Sequence, residues 1–206
     1  MTDRPVPPGR TALLLVDLQN DFLHPDGAYG RAGQGAEAIA ALPARLAPLA
    51  RAVRAAGGLV ISTRFTLQPG RGGEPIISPH LARLRPFLRR GDFLPGSWGH
   101  DLVDALKPDD LGVEKIAYSA FYMTRLEWVL RKLGVERLIA GGIVTNGGVA
   151  STVRDAHVRD IEAEVLSDGC AAFSPAVHEA ALEALRPVAR LRTVADALAE
   201  FERPGG

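Results

Sequence analysis

Cysteine is nearly absent from this 206-residue chain, which contains only Cys170. A single thiol excludes an internal disulfide framework and argues against a cysteine-based zinc site. An excess of charge of one sign is also lacking, because 24 lysines and arginines balance 24 aspartates and glutamates. No overall electrostatic field therefore favours binding to nucleic acid or to an acidic membrane surface. The arginine-rich stretch at 83–90 is interpreted as a solvated face.

Long apolar runs are missing as well. No run approaches the roughly 20 residues that a membrane span needs. The N-terminal sequence MTDRPVPPGR lacks the apolar core of a signal peptide. We therefore expect a cytoplasmic protein with no membrane partner. The length fits one buried core better than two, so a single domain is expected over residues 1–206.

Strand-like and helix-like segments alternate along the chain, which is typical of a parallel sheet covered by helices. Short, mostly apolar runs predict strands at 11–18, 59–67, 113–120, 138–144, 162–166 and 191–194. The predicted fold class is α/β, a Rossmann-like three-layer α/β/α sandwich with a mainly parallel sheet of about six strands.

Apolar periodicity and helix-start patterns predict the helices between these strands. A helix at about 38–56 carries leucines four and three residues apart, and Pro48 is expected to kink it or shift its start. Thr124 and Glu127 have the spacing of a capping box before a later helix. The pair at 174–175, Ser-Pro, is typical of another helix start.

The region 68–99 is rich in glycine, proline and arginine and shows no clean periodicity. It predicts a long loop with a short helix near 79–84. Because long loops in compact domains are usually functional or disordered, we expect this loop to lie over the carboxyl edge of the sheet and to shape specificity.

Three features fall where ligands bind in open α/β sheets, beyond the carboxyl ends of the strands. Asp17 ends the first predicted strand, Lys115 lies in the third, and the turn at 145–148 (TNGG) leads from the fourth strand into a helix. Backbone N–H groups of such a turn can receive negative charge. Each feature alone has an ordinary structural interpretation, and the turn lacks the known phosphate-binding glycine patterns. The combination is what indicates a site.

Four segments then match the motifs of a known family in the expected order. They are ALLLVDLQNDF at 12–22, GSWGHDLVDAL at 96–106, the stretch from EKIAYSAFY to DAHVRDI at 114–161, and VLSDGCAAFSPAVHEAAL at 165–182. On these segments the chain resembles the isochorismatase-like superfamily, also called the cysteine hydrolase family. The resemblance implies that Asp17 is the general acid/base and that Lys115 is its electrostatic partner. It also places Gly148 at the position of the family's nucleophilic cysteine.

Glycine at position 148 closes the route of the family's amidases, in which a cysteine thiolate attacks a carbonyl and forms a thioester. Cys170, after the fifth predicted strand, is interpreted as a packed core residue and not as a replacement. Ser151 and Thr152 have no visible histidine–carboxylate relay and are not assigned as nucleophiles. No metal and no other cofactor are expected, because the Asp-x-His ligands of nicotinamidase-like relatives are replaced by Arg-Phe-Thr at 64–66.

Two interpretations of the remaining chemistry stay open. Isochorismatases resemble this chain in having glycine at the cysteine position, and they hydrolyse a vinyl ether with release of pyruvate after an aspartic acid protonates the enol-ether carbon. The VTN sequence at 144–146 instead resembles the amidase branch. The first interpretation is therefore a thiol-independent hydrolase that uses Asp17 and Lys115, with the amides of Gly147 and Gly148 orienting substrate or water. The alternative is a catalytically disarmed, amidase-like binding protein.

Residues that flank the functional residues of these motifs are candidates for the wall of a small-molecule pocket. The aromatic candidates, for which an ordinary core position is the alternative, are Phe22, Trp98, Tyr118 and Phe121. The candidates in and before the turn are Val144, Thr145 and Gly147. The resemblance also implies a homo-oligomer, a dimer or larger. It does not identify the substrate.

Overall fold

The computed structural model describes residues 6–202, which are arranged around a parallel sheet. Its strands are β1 (Thr11–Val16), β2 (Leu59–Phe65), β3 (Leu111–Lys115), β4 (Arg137–Ile143), β5 (Glu162–Ala171) and β6 (Arg190–Arg192). They lie in the order β3-β2-β1-β4-β5-β6, and every neighbouring pair is parallel. The predicted fold class is confirmed.

Helices cover both faces of this sheet. They are α1 (Asn20–Leu23), α2 (Ala28–Arg31), α3 (Glu37–Ala40), α4 (Leu42–Ala55), α5 (Pro79–Leu84), α6 (Leu126–Lys132), α7 (Ala150–Val158), α8 (Pro175–Glu183) and α9 (Val194–Phe201). One apolar layer joins Leu14 and Val16 of β1 to α6, α7 and α8, and the other joins Leu13 and Leu15 to α4 and α9. Successive side chains of a strand point to opposite faces, so a strand buried on both sides needs a continuous apolar sequence. Within residues 6–202, no helix combines the length and apolar character required to cross a membrane.

Two predicted strand ends differ from the structure. The predicted strand 113–120 ends at Lys115, because its partner β2 ends at Phe65, the residue paired with Lys115. The predicted strand 162–166 continues to Ala171, because β5 resumes pairing with β4 after an irregularity and places Cys170 beside Gly142. Cys170 therefore lies within a strand and not after one.

The predicted capping box is wrong. Thr124 Oγ1 accepts from the N–H of Leu126 at 3.1 Å, and α6 has no side-chain cap of the predicted kind. Glu127 instead forms ion pairs with Arg131 at 3.0 Å and with Arg159 at 2.9 Å. The carboxylate of Glu127 thus contacts two guanidinium groups, one of them at the C-terminal end of α7, and does not make the predicted capping bond.

The other predicted helix starts agree more closely with the structure. The predicted helix 38–56 is divided into α3 and α4, with Pro48 accommodated inside α4. Pro175 occupies the first turn of α8, although the side chain of Ser174 makes no capping bond. The last strand is β6 instead of 191–194, because the hydroxyl of Thr193 accepts from the N–H of Asp196 and caps α9.

The strand order places a crevice at the carboxyl ends of β1 and β4. Chain connections leave β1 in one direction and β4 in the other, which is the arrangement in which open α/β sheets bind ligands. Beside this crevice lies the region 68–99 with α5 at the predicted place, capped by Ser78 Oγ, which accepts from the N–H of Leu81 at 3.1 Å. The fold thus brings the predicted loop and the motif residues to the same edge.

Candidate active site

Asp17 follows β1 directly and is buried at the carboxyl edge of the sheet, with 5% of its surface exposed. It adopts a left-handed backbone conformation with φ of 55°. Its N–H donates to Thr63 Oγ1 at 3.1 Å, and the same hydroxyl donates to Asp17 Oδ1 at 2.6 Å. Strand register explains this contact, because Val16 pairs with Thr63 across β1 and β2. The first bond fixes the backbone of Asp17, and the second fixes the orientation of its carboxylate.

Lys115 ends β3, and its ammonium group reaches the other oxygen of Asp17. Nζ lies 2.7 Å from Asp17 Oδ2 and donates to the carbonyl of Ala117 at 2.9 Å. An ammonium has three hydrogens, and within residues 6–202 no acceptor is present for the third. The ring of Phe65 lies beside this group, with its centroid 5.7 Å from Nζ. Lys115 can therefore donate to a ligand oxygen while it remains paired with Asp17.

Gly148 lies in the π-helical turn Thr145–Val149, which follows β4 and a cis peptide between Ile143 and Val144. A Cβ atom placed on Gly148 would lie 3.3 Å from Asp17 Oδ2 and 2.8 Å from the carbonyl oxygen of Ile143. The second distance is shorter than real Cβ contacts allow, so a side chain here requires the backbone to move. As glycine, position 148 leaves the flank of the Asp17 carboxylate accessible.

The other predicted residues of the turn have different surroundings. Val144 lines the cavity beside Asp17, whereas Thr145 and Gly147 do not. Thr145 is fully buried, and its Oγ1 lies 2.8 Å from Nδ1 of His178. The N–H of Gly147 donates to the carbonyl of Val144 at 2.9 Å. This amide is already used, so only the amide of Gly148 remains a candidate for holding substrate or water.

A cavity of about 260 Å³ adjoins the Asp17–Lys115 pair. Its wall is mainly apolar, and the aromatic side chains that line it are Phe22, Tyr29, Phe65, Tyr118 and Phe173. Besides the exposed His80, the titratable groups other than tyrosine that reach it are Asp17, Lys115 and Arg85. Small-molecule sites commonly combine an apolar wall with a few polar groups, and this volume suits a small metabolite.

Two of the four aromatic candidates line this cavity, namely Phe22 and Tyr118. Trp98 lies elsewhere, half exposed, with its ring edge-on to His24 at a centroid distance of 4.8 Å. Phe121 belongs to the core beneath α6 and α7, where the guanidinium of Arg159 lies 4.9 Å from its ring centroid. Phe121 therefore has the ordinary core position, whereas Trp98 belongs neither to the wall of this cavity nor to the core.

Several residues at the site were not predicted from the sequence. Thr63 lies between two other polar residues of β2, Ser62 and Arg64, so composition does not single it out, and its pairing with Val16 is what places it beside Asp17. Tyr29 and Phe173 stack with centroids 5.4 Å apart, although they lie far apart in sequence. Arg85 comes from the region without periodicity, and no sequence pattern distinguishes it from the neighbouring arginines.

Cys170 does not contribute to this cavity. Its Sγ lies 3.6 Å from the carbonyl of Ala140, and burial raises the pKa of its thiol to about 12. A thiol with such a pKa stays protonated and is a poor nucleophile near neutral pH. The described residues contain no group of three or more histidine, cysteine, aspartate or glutamate side chains arranged to hold a metal ion.

Comparisons with known proteins identify the family of the chain. Residues 11–197 match the family model described as Isochorismatase domain. The ureidoacrylate amidohydrolase RutB of Methylobacterium radiotolerans is 36% identical over 187 residues, which are 85% of this chain and 72% of that protein. RutB of Pantoea ananatis is 35% identical over 172 residues, 78% of this chain and 69% of that protein. A cysteine hydrolase from Pseudomonas syringae has a TM-score of 0.82 and 28% identity over 98% of this chain and 99% of that chain. The chain therefore belongs to the isochorismatase domain family, and it is a hydrolase.

Proposed function

We propose that this hydrolase uses water as the nucleophile, Asp17 as proton acceptor and donor, and Lys115 as the charge partner of Asp17. The observation that carries the proposal is the position of Asp17 Oδ2. This oxygen contacts Lys115 Nζ at 2.7 Å and lies on the flank that the glycine at position 148 leaves accessible. A substrate atom or a water molecule can therefore approach the carboxylate directly.

The only cysteine of the chain supports a route without a thiol. Cys170 is buried in β5, outside the cavity, and its pKa is raised to about 12. The position beside Asp17 where the family's amidases carry their nucleophile is occupied by Gly148. This site therefore has no thiol that could act as the nucleophile and form a thioester.

Proton transfer at Asp17 supplies the remaining chemistry. The carboxylate takes a proton from water as water attacks the substrate, and the resulting carboxylic acid gives a proton to the leaving group. In this proposal the third N–H of Lys115 and the amide of Gly148 stabilise negative charge on a substrate oxygen. Thr63 holds the carboxylate in place through Oδ1, so that Oδ2 faces the substrate.

A vinyl ether is one candidate substrate, and glycine at position 148 favours it. Isochorismatases resemble this chain in having glycine at the position of the family's nucleophilic cysteine. With such a substrate Asp17 acts first as an acid that protonates the enol-ether carbon. Water then captures the oxocarbenium ion and returns a proton to Asp17, and the hemiketal separates into a carbonyl compound and an alcohol.

A ureido compound is the second candidate, and the relatives favour it. Two proteins that are 36% and 35% identical to this chain are named ureidoacrylate amidohydrolases. With such a substrate Asp17 acts first as a base, because water must be activated before it can attack the ureido carbonyl. A carbon–nitrogen bond of the resulting tetrahedral intermediate then breaks, and the departing nitrogen takes the proton from Asp17.

Product release by the purified chain tests the proposal and separates the two candidates. Pyruvate is measured after incubation with isochorismate, and ammonia after incubation with ureidoacrylate. We expect one of the two products, with Asp17→Asn lowering the rate by roughly 100-fold to 10,000-fold. Unchanged turnover by Asp17→Asn would contradict the role of Asp17. Binding of both compounds by the wild-type chain without any product would favour the disarmed binding protein.

We also propose that the chain forms a homo-oligomer. Four apolar side chains shortly after β3 are each more than half exposed, namely Ile116, Tyr118, Tyr122 and Met123. A second copy of the chain covering them would remove this apolar surface from water. Light scattering coupled to size exclusion measures the mass in solution, and a monomer at micromolar concentration would contradict the proposal.

A further inference from the structure

Arg85 is the third charged side chain of the cavity. It follows α5 and is partly buried. Asp17 and Lys115 neutralise each other as an ion pair, so the guanidinium of Arg85 leaves the cavity with a net positive charge. Within residues 6–202, Arg85 forms no ion pair with a carboxylate. A partly desolvated cation without an acidic partner is costly unless a ligand supplies the counter-charge.

Two tyrosines are the polar neighbours of this guanidinium. Arg85 Nε donates to the hydroxyl of Tyr29 at 2.7 Å. The hydroxyl of Tyr118 is the second polar neighbour of the guanidinium, and both tyrosines line the cavity. Burial raises the pKa of Tyr29, so its hydroxyl stays neutral and does not compensate the positive charge. The ring of Tyr29 packs against Phe22 and Phe173 at centroid distances of 4.8 and 5.4 Å. Arg85 is thus held by a rigid neighbour inside an aromatic wall.

We propose that Arg85 binds a carboxylate group of the substrate, so that the enzyme acts on small carboxylic acids. This inference rests on the proposed function, because it assigns the substrate class of the same cavity. A guanidinium matches a carboxylate through two parallel hydrogen bonds, and the hydroxyls of Tyr29 and Tyr118 can donate to the same oxygens. The apolar wall strengthens this pairing by excluding water. Asp17 and Lys115 then face the part of the substrate that reacts.

Binding of a carboxylate that cannot be hydrolysed tests the proposal separately from catalysis. Benzoate is planar, carries a single charge and fits an aromatic wall, and nitrobenzene is its neutral isostere. Dissociation constants are measured by titration calorimetry or ligand-detected NMR for the wild type, Arg85→Gln and Arg83→Gln. Arg83 is an exposed arginine in the last turn of α5, two residues before Arg85, and is the matched control. Thermal unfolding verifies that each variant is folded.

We expect Arg85→Gln to weaken benzoate binding by roughly 10-fold to 100-fold, the usual effect of losing a charge-assisted pair. Nitrobenzene binding should stay within about twofold, and Arg83→Gln should leave both affinities unchanged. Arg85→Lys keeps the positive charge but lacks the planar N–H donors that form two parallel hydrogen bonds, so an intermediate benzoate affinity is expected. Equal benzoate affinity in the wild type and Arg85→Gln, or no benzoate binding by the wild type, would overturn the proposal. Since neither probe reacts, failure of the proposed hydrolysis leaves this result unaffected.

Discussion

Adding a side chain at position 148 tests whether the backbone at the site requires glycine. A Cβ atom there lies 2.8 Å from the carbonyl oxygen of Ile143, 3.2 Å from Val16 Cγ1 and 3.3 Å from Asp17 Oδ2. The shortest contact is with backbone, which cannot turn away as a long side chain does. Ile143 ends β4 and Val16 ends the neighbouring β1, so relief requires movement at the centre of the sheet.

Two opposing effects set the magnitude for Gly148→Ala. Inserting a methyl group into packed structure costs about 1–3 kcal/mol. Replacing glycine by alanine recovers about 0.5–1 kcal/mol of chain entropy where the backbone conformation suits alanine, and Gly148 is not among the glycines with positive φ. The net expectation is a loss of up to about 2.5 kcal/mol in unfolding free energy. For a chain of this size the melting temperature then falls by up to roughly 10 °C.

Thermal and urea unfolding measure this loss, and Gly35→Ala is the matched control. A Cβ atom on Gly35 meets nothing within 4 Å, so that variant should be at least as stable as the wild type and should gain up to about 1 kcal/mol from the lost chain entropy. A melting temperature of Gly148→Ala equal to or above that of Gly35→Ala would refute the argument from the contact with Ile143.

Gly148→Cys adds a thiol to the same Cβ atom and tests whether the site keeps an amidase-like environment. The native Cys170 is buried with a pKa of about 12, so wild-type protein should not react with iodoacetamide while it is folded. In a disarmed amidase the new thiol should be alkylated faster than the thiol of an Ala40→Cys variant, which is at an exposed position. Intact mass spectrometry follows both reactions. Slower alkylation at position 148 would count against a retained nucleophile environment, and gain of amide hydrolysis would support one.

Three further predictions concern the groups around the carboxylate and one buried histidine. Thr63→Val removes the hydroxyl that bonds Asp17 and should cost about 1–3 kcal/mol in urea unfolding with a lower kcat/KM, whereas Thr63→Ser should retain both. Lys115→Met leaves a buried carboxylate unpaired and should cost about 3–5 kcal/mol in the same assay, and equal stability to wild type would contradict the ion pair. Burial lowers the pKa of His100 below 6.5, so the unfolded chain binds the proton more readily and stability should fall as pH decreases through 6.5. Melting temperatures between pH 5 and 8 should show a smaller fall in His100→Gln than in wild type, and parallel profiles would contradict this assignment.

The layers of the fold are predictable because most strands are short, mainly apolar runs and the longer helices have their own periodicity. Strand ends are less predictable, since they depend on the partner strand. The strand predicted at 113–120 stops at Lys115 because β2 offers no partner beyond Phe65. Likewise, β5 passes through Ser167 to Ala171 because β4 continues beside it, although the local sequence SDG is typical of a turn.

The position of the site is predictable for a similar reason. Asp17, Lys115 and Gly148 follow or end parallel strands, and the carboxyl ends of such strands meet at one edge. The wall of the cavity is not predictable from neighbouring sequence, because it depends on side-chain direction. Trp98 adjoins a motif but packs beside His24, outside the cavity, whereas residues of the region without periodicity enter the wall.

The most direct test of a thiol-independent, Asp17-dependent hydrolysis is the kcat/KM of a chain that contains no thiol. Cys170→Ala removes the only cysteine, and the same kinetics are measured for Asp17→Asn in that background with the substrate that releases product. We predict that Cys170→Ala keeps the wild-type value within about twofold, while adding Asp17→Asn lowers it by roughly 100-fold or more. Loss of turnover in folded Cys170→Ala, or full turnover without Asp17, would contradict the account.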